Sequence, residues 1–190
     1  MKPRDGIPSV ATDNFQGAVM AIEHLLDCGR KKIGHISGPL DWWEAQERKR
    51  GWQETLKAAG FEASEQRCAK GNWSSSSGEQ AFIQLIESFP DMDAVFVAND
   101  QMALSVLREA CRRGIKIPEQ LAVVGFDNIP ESAYFYPSLT TISQDLQLLG
   151  GQAIQNIVEM IQARQENQPV IAQSLLIRPT LIIRESSKRV

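Results

Sequence analysis

The sequence predicts an α/β fold, a parallel sheet flanked by helices, and three observations predict it. Short runs apolar at every position, such as Ala94-Val-Phe-Val-Ala98 and Leu121-Ala-Val-Val-Gly-Phe126, read as strands buried on both faces. Each run stops at a polar corner, Asn99-Asp100 after the first and Asp127-Asn128 after the second. Asn and Asp side chains can cap a helix N-terminus there. Beyond Asn99-Asp100, Ala103, Val106, Leu107 and Ala110 recur at helical spacing as far as Gly114, a natural C-terminal stop. Strand, corner and helix in repetition imply βαβ units with right-handed crossovers.

The elements follow in order. Residues 1–6 are polar and read as loose, and Ile7-Pro-Ser-Val-Ala-Thr12 reads as a short strand or its tail. After Asp13-Asn14 a helix presents Phe15, Ala18, Ile22 and Leu25 on one face and closes at Gly29. Lys32-Ile-Gly-His-Ile-Ser37 is the next strand, broken by Gly38-Pro39. A helix from near Trp42 to Gly60 buries Ala45, Trp52, Leu56 and Ala59. A weaker strand spans Arg67 to Lys70, and the serines at 74–77 open a helix carrying Ala81, Leu85 and Ile86. Ile129 to Ser138, with two prolines and three aromatics, reads as an ordered loop before a short strand at Leu139–Ile142. The helix from Asp145 to about Arg164 places Leu146, Leu149, Ala153, Ile157 and Met160 in one stripe. Strands at Ser174–Ile177 and Thr180–Arg184 end the chain.

At 190 residues the chain can bury a sizeable core as one large domain or a domain plus a fragment. Its composition, 43% hydrophobic and 23% charged, is that of an ordinary globular protein. A formal net charge of −3 leaves no overall electrostatic footprint for nucleic acid. The basic runs Arg30-Lys31-Lys32 and Arg48-Lys49-Arg50 read as solvated faces. No apolar run approaches the roughly 20 residues of a membrane span, and the N-terminus lacks a signal-peptide core. Cys28, Cys68 and Cys111 are odd in number and widely spaced, as expected of reduced cytosolic thiols.

In open α/β sheets, ligands bind beyond the carboxyl ends of the strands. Those ends carry Asp13, Ser37, Trp73, Asn99 and Asp127. Carboxylates and an amide can hydrogen-bond ligand hydroxyls, Trp42, Trp43 and Trp73 offer flat apolar surfaces, and Arg48 adds a forked donor set. Asn99 and Asp127 have a second, purely structural reading as caps of helices or turns, and Trp52 reads as core. Enzyme chemistry finds little support. His24 and His35 sit on apolar elements, and no Gly-x-Ser-x-Gly elbow is present. Gly34-His-Ile-Ser-Gly38-Pro has neither phosphate-loop nor dinucleotide spacing. Neither a cofactor nor a metal is expected.

Several blocks resemble the LacI/GalR family of transcriptional repressors. They are Val97-Ala-Asn-Asp-Gln-Met-Ala-Leu104, Val123-Val-Gly-Phe-Asp-Asn128, Pro137-Ser-Leu-Thr-Thr-Ile142, and Glu23-His-Leu-Leu-Asp-Cys-Gly29 followed by Ile33. Ser37-Gly-Pro-Leu40, Arg48 and Gly51-Trp52 fit the same pattern in order and spacing. The resemblance spans roughly residues 7–184. It implies a periplasmic-binding-protein-like fold of type I, with an effector held in a cleft between two α/β subdomains. Matched position by position, the ligand contacts fall on Asp13, Trp42, Glu44, Arg48, Trp73, Asn99 and Asp127, with Leu146 as an apolar wall. Trp42 and Glu44 occupy effector-selecting positions.

The same resemblance implies a division of the chain. Residues 1–12 would be the tail of a mostly missing N-terminal subdomain and 13–138 a largely complete C-terminal subdomain. Residues 139–165 would be a return segment whose helix packs on the missing sheet, and 166–190 the C-terminal strands. The implied protein is a cytoplasmic regulator that binds a small-molecule effector, a sugar or related polyol. Operator DNA would be reached only through a helix-turn-helix absent from this chain. No membrane partner is expected, and a homodimer or higher oligomer is. A periplasmic-type sugar-binding protein of a transporter is the alternative, and a sugar-processing enzyme a third reading.

Overall fold

Strands and helices alternate along the chain as their sequence patterns require. In this computed structural model, which describes residues 9–169 and 174–188, they are β1 (Ser9–Thr12), α1 (Asn14–Asp27), β2 (Ile33–Ser37), α2 (Trp43–Ala58), β3 (Cys68–Lys70), α3 (Ser75–Ser88) and β4 (Ala94–Val97). There follow α4 (Asp100–Arg112), β5 (Ala122–Asp127), β6 (Thr140–Ser143), α5 (Leu146–Gln165), β7 (Ser174–Ile177) and β8 (Thr180–Ile182). The expected loose segment 1–6, the first two residues of the Ile7–Thr12 strand, and 170–173 and 189–190 lie outside the described residues. The expected ordered loop holds one turn of 3-10 helix at Pro130–Tyr134.

One sheet runs β3-β2-β4-β5-β6-β8, with every neighbouring pair parallel except β6 and β8. β1 and β7 pair in parallel as a separate two-stranded sheet. Residues 140–143 and 180–182 thus belong to the large sheet, although they fall in the return segment and C-terminal strands of the expected division. Alternate residues of each central strand feed two cores. Val95, Val97 and Val123 join Phe82, Leu85, Met102 and Val106 of α3 and α4. Phe96, Val124 and Phe126 join Ile22, Leu25, Trp52 and Leu56 of α1 and α2. This double burial is why the strands read as unbroken apolar runs. Each fully buried large side chain, such as Trp52, Phe82 or Phe96, contributes about 1.5–3 kcal/mol.

β2 lies between β3 and β4, so the connection order reverses across it, and the β2–β4 boundary is the topological switch point where such sheets bind ligands. The basic runs are solvated faces only in part: Lys31, Lys32 and Arg50 are exposed as expected, but one arginine of each run is buried. Arg30 is buried and donates to the carbonyls of Pro118 and Glu119, and Arg48 is buried beneath the sheet's carboxyl edge. In both runs, one buried guanidinium donates from its terminal nitrogens to backbone carbonyl oxygen inside the protein. The C-terminal segment also goes beyond what the patterns foretold. Ser186 exchanges backbone hydrogen bonds with Ser138 and Val123 at 2.9 and 2.8 Å and is completely buried.

The α5 stripe splits. Leu149, Ala153 and Met160 are half-buried, but Leu146 and Ile157 are 66% and 56% exposed. Ile154, Val158 and Ile161 are exposed beside Ile157 at helical spacing, and no α5 residue is fully buried. The helix lies against β1, which touches only its narrow inner face.

Candidate functional site

Helix N-termini and the turns that follow the strands converge at the carboxyl edge of the sheet. There an open cleft of about 560 Å³ is lined by Trp42, Glu44, Arg48, Trp73, Asn99, Gln101, Asp127 and Gln144. Six of the eight residues expected at the site therefore come together.

Trp42 precedes α2 and is 54% exposed, and its ring meets that of Trp73 edge-on, at 6.1 Å and 71°. Trp73 holds a left-handed backbone conformation, φ 75°, which a bulky residue adopts only when its surroundings impose it. Two partners impose it here. Asn99 Nδ2 donates to the Trp73 carbonyl at 2.9 Å, and the ring lies flat on Gly38, where a Cβ would stand 2.2 Å from Trp73 Cη2. Asn99 is thus both a cap and a cleft residue. Its Oδ1 accepts from Met102 N–H at 3.0 Å and starts α4, while its amide fixes Trp73.

Arg48, 5% exposed, is held from every side. Its Nε donates to Asn14 Oδ1 at 2.8 Å, its Nη1 to the Ala98 carbonyl, and Asp127 Oδ1 lies 3.6 Å from Nη1. The guanidinium also sits 3.6 Å above the Phe126 ring centroid, a favourable cation–π geometry. Burial pushes Arg48 down to about 10 against the pull of Asp127, Glu44 and Asp100, so it stays charged at neutral pH.

Asp127 ends β5 with φ 115°, and Asn128 follows with φ 54°. Such a turn in non-glycine residues costs on the order of 1–3 kcal/mol per residue, and a dense set of bonds holds it. Arg184 Nη2 donates to Asn128 Oδ1 at 2.8 Å, Asn128 N–H to Thr141 Oγ1 at 3.3 Å, and Ile129 N–H to Asp100 Oδ2 at 3.0 Å. Asp100 is wholly buried, and its Oδ1 accepts from Thr141 at 2.7 Å. It fits because Gly125 lies opposite, where a Cβ would stand 2.3 Å from that oxygen. Burial raises the Asp127 carboxyl, against Arg48 and the Gln144 hydrogen bond. It lifts Asp100 to about 7, against the bonds from Thr141 and Ile129.

The other two expected residues lie elsewhere. Asp13 caps α1, its Oδ1 accepting from Gln16 N–H at 2.9 Å. Leu146 lines an adjoining cavity of about 470 Å³ that shares Asp127 and Gln144 with the cleft. Ser37, at a strand end, is buried, with its hydroxyl toward the Ala69 carbonyl at 3.5 Å. Gln101 and Gln144 are cleft residues that sequence reasoning missed. The signal for Gln144 was present, because Ser143-Gln144-Asp145 is one more polar corner between a strand and a helix. The histidines are remote from this chemistry. His35 is buried between Trp52 and Phe96, and His24 bonds Ser187. Two indoles at a steep angle, with carboxylates, amides and one guanidinium between them, suit a ligand with apolar ring faces and a rim of hydroxyls.

The periplasmic binding protein-like domain family matches residues 22–187. Among curated proteins, the HTH-type transcriptional regulator CelR of Thermobifida fusca is 34% identical over 184 residues, covering 97% of this chain and 53% of that protein. The HTH-type transcriptional repressor CytR of Escherichia coli (strain K12) is 34% identical over 186 residues, covering 98% and 53%. Among solved structures, a transcriptional regulator CelR–cellobiose complex superposes with a TM-score of 0.90 at 33% identity, over 97% of this chain and 55% of that one. The lac repressor dimer bound to operator and the anti-inducer ONPF gives 0.84 at 30%, over 94% and 60%. The chain spans about half the length of the curated relatives it matches. These relatives are transcriptional regulators, not enzymes. No helix among the described residues is long and apolar enough to cross a membrane.

Proposed function

The chain belongs to the periplasmic binding protein-like domain family, and we propose that it is the effector-binding segment of a LacI-type transcriptional regulator, its cleft taking a sugar or related polyol. What carries the reading is the convergence of Trp42, Glu44, Arg48, Trp73, Asn99 and Asp127 on one cleft at the switch point of the sheet. The indoles receive the C–H faces of a sugar ring, and Asp127 and Glu44 accept from its hydroxyls. Arg48 holds Asp127 in place and keeps its charge in the cleft. The cellobiose seen with a structural relative has this chemistry. Binding without turnover is the role. Operator contact then falls to a helix-turn-helix outside these residues, in a cytoplasmic protein that acts as a dimer, the assembly in which the lac repressor was solved on operator.

Calorimetry tests the reading with cellobiose, glucose, galactose, ribose, cytidine and hypoxanthine, followed by chromatography of the recovered ligand. Saturable binding of a sugar, recovered intact and lost in Asp127→Asn, is expected. Conversion of the ligand, or binding of the nucleobase alone, would replace this reading.

A further inference from the structure

Behind the cleft, five residues close a ring of polar contacts, one link of which runs through the Thr12 backbone carbonyl. Arg48 Nε donates to Asn14 Oδ1 at 2.8 Å, and Asn14 Nδ2 donates to the Thr12 carbonyl at 3.0 Å. Thr12 Oγ1 donates to Gln144 Oε1 at 2.6 Å, and Gln144 Nε2 to Asp127 Oδ1 at 2.7 Å. Asp127 Oδ1 returns to Arg48 Nη1 at 3.6 Å. The polarity of the amide is forced. An ionised Asp127 only accepts, so it takes the NH2 group of Gln144, and the amide oxygen is left for the Thr12 hydroxyl.

The ring stands where the chain passes between the two sheets. Thr12 is the last residue of β1 and pairs with Ile177, the last of β7. Asp13 N–H donates to the Ile177 carbonyl at 2.9 Å as both strands leave the small sheet. Gln144 lies in the passage from β6 to α5. The glutamine therefore touches the ligand-facing carboxylate on one side and the small sheet on the other.

We propose that Gln144 is the positioning residue of the cleft. Its amide holds the Asp127 carboxylate toward Arg48 and, through Thr12, ties that carboxylate to the crossings between the sheets. Cleft geometry and the relation of the two sheets are then set together. The proposal rests on the effector reading only in calling Asp127 ligand-facing. A sugar panel without a binder defeats that reading and leaves the network result standing.

Thr12 separates a positioning role from ligand contact, because it is 5% exposed and lines neither cavity. The test is a carboxyl-carbon NMR titration of Asp127 in the 190-residue chain and in Thr12→Val, Gln144→Ala and the double variant. The charged groups facing Asp127 are Arg48 and Asp100, with Glu44 acting on Arg48, and none is altered. Loss of a hydrogen bond to the ionised form raises the midpoint. A rise of about half a pH unit or more is expected in Thr12→Val and a larger one in Gln144→Ala, with no further rise in the double variant. Thr12→Ser, which keeps the hydroxyl, should titrate as the parent does. An unmoved midpoint in Thr12→Val, additive shifts in the double variant, or a Thr12→Ser shift equal to that of Thr12→Val overturns the proposal. Should Thr12→Val not fold, an unmoved midpoint in Gln144→Ala overturns it equally.

Discussion

Two buried groups on opposite sides of the sheet should oppose each other in the dependence of stability on pH. His35 is fully buried, its Nδ1–H donates to the Phe96 carbonyl at 2.9 Å, and burial drives it down from 6.5 to about 3. The unfolded chain takes up this proton below pH 6.5 while the native one refuses it. His35 therefore favours folding above pH 6.5 and loses that contribution as pH falls toward 3. Asp100 is raised from 3.8 to about 7. Its contribution is complete below pH 3.8 and lost as pH rises toward 7. At about 1.4 kcal/mol per pH unit, each displacement is worth on the order of 4 kcal/mol in full. Between pH 4.5 and 6.5 the two slopes have opposite signs and nearly equal size. His24, lowered by burial, and Asp127, raised by burial, oppose each other in the same way. Urea denaturation followed by tryptophan fluorescence should find the parent chain nearly flat across that window. His35→Phe keeps an aromatic ring between Trp52 and Phe96 and should lose about 2 kcal/mol as pH rises from 4.5 to 6.5. Asp100→Asn should gain about 2 kcal/mol over the same window. Parallel profiles for all three proteins would refute the reasoning, because neither group would then be titrating between those limits.

Other outcomes follow from the site and the surface. Arg48→Met and Asp127→Asn should each weaken binding of the sugar found by calorimetry by about 2–4 kcal/mol; unchanged affinity in both, with folding intact, would remove them from the site. Gly38→Ala pushes a methyl into the Trp73 ring and should lower stability by about 1–3 kcal/mol in a urea melt. Trp73→Ala in the same chain should recover most of that loss, and no recovery would show that the ring does not rest there. Ile154, Ile157, Val158 and Ile161 form an exposed apolar face on α5, so the 190-residue chain should self-associate at tens of micromolar. Ile157→Glu should shift its sedimentation toward monomer, and a parent chain already monomeric would contradict this.

Much of the fold was legible because the burial pattern is extreme. A strand covered on both faces must be apolar throughout, and Ala94–Val97 and Ala122–Phe126 are apolar or glycine at every position. Helix starts were legible because Asp13, Ser74, Asn99 and Asp145 accept from backbone N–H groups at the ends of α1, α3, α4 and α5. The α5 stripe was legible as apolar but not as to direction. β1 takes up only one narrow face, and an apolar helix periodicity does not say which of its sides has a neighbour.

The site was legible to the depth at which one residue answers to one strand end. The carboxyl ends of β2, β4 and β5, together with the turn after β3, bring Trp42, Trp73, Asn99 and Asp127 to the cleft, as the strand-end rule requires. The second layer obeys no such rule. Thr12 and Gln144 are 132 residues apart, and neither sits in a motif that would pair them. Their contact exists because β1 ends beside the β6–α5 passage, a consequence of how the two sheets meet. Likewise, Asp100 could be read as a cap beside Asn99, but its work is at the far side of the β5 turn, where it holds Thr141 and the Ile129 amide. A carboxylate at the start of a helix is favoured there in its own right, so the local pattern already had a sufficient reason for it. Local rules therefore locate the residues that face the ligand. The side chains that aim them are polar groups whose local role is already satisfied, and only the packing of distant segments gives them a second one.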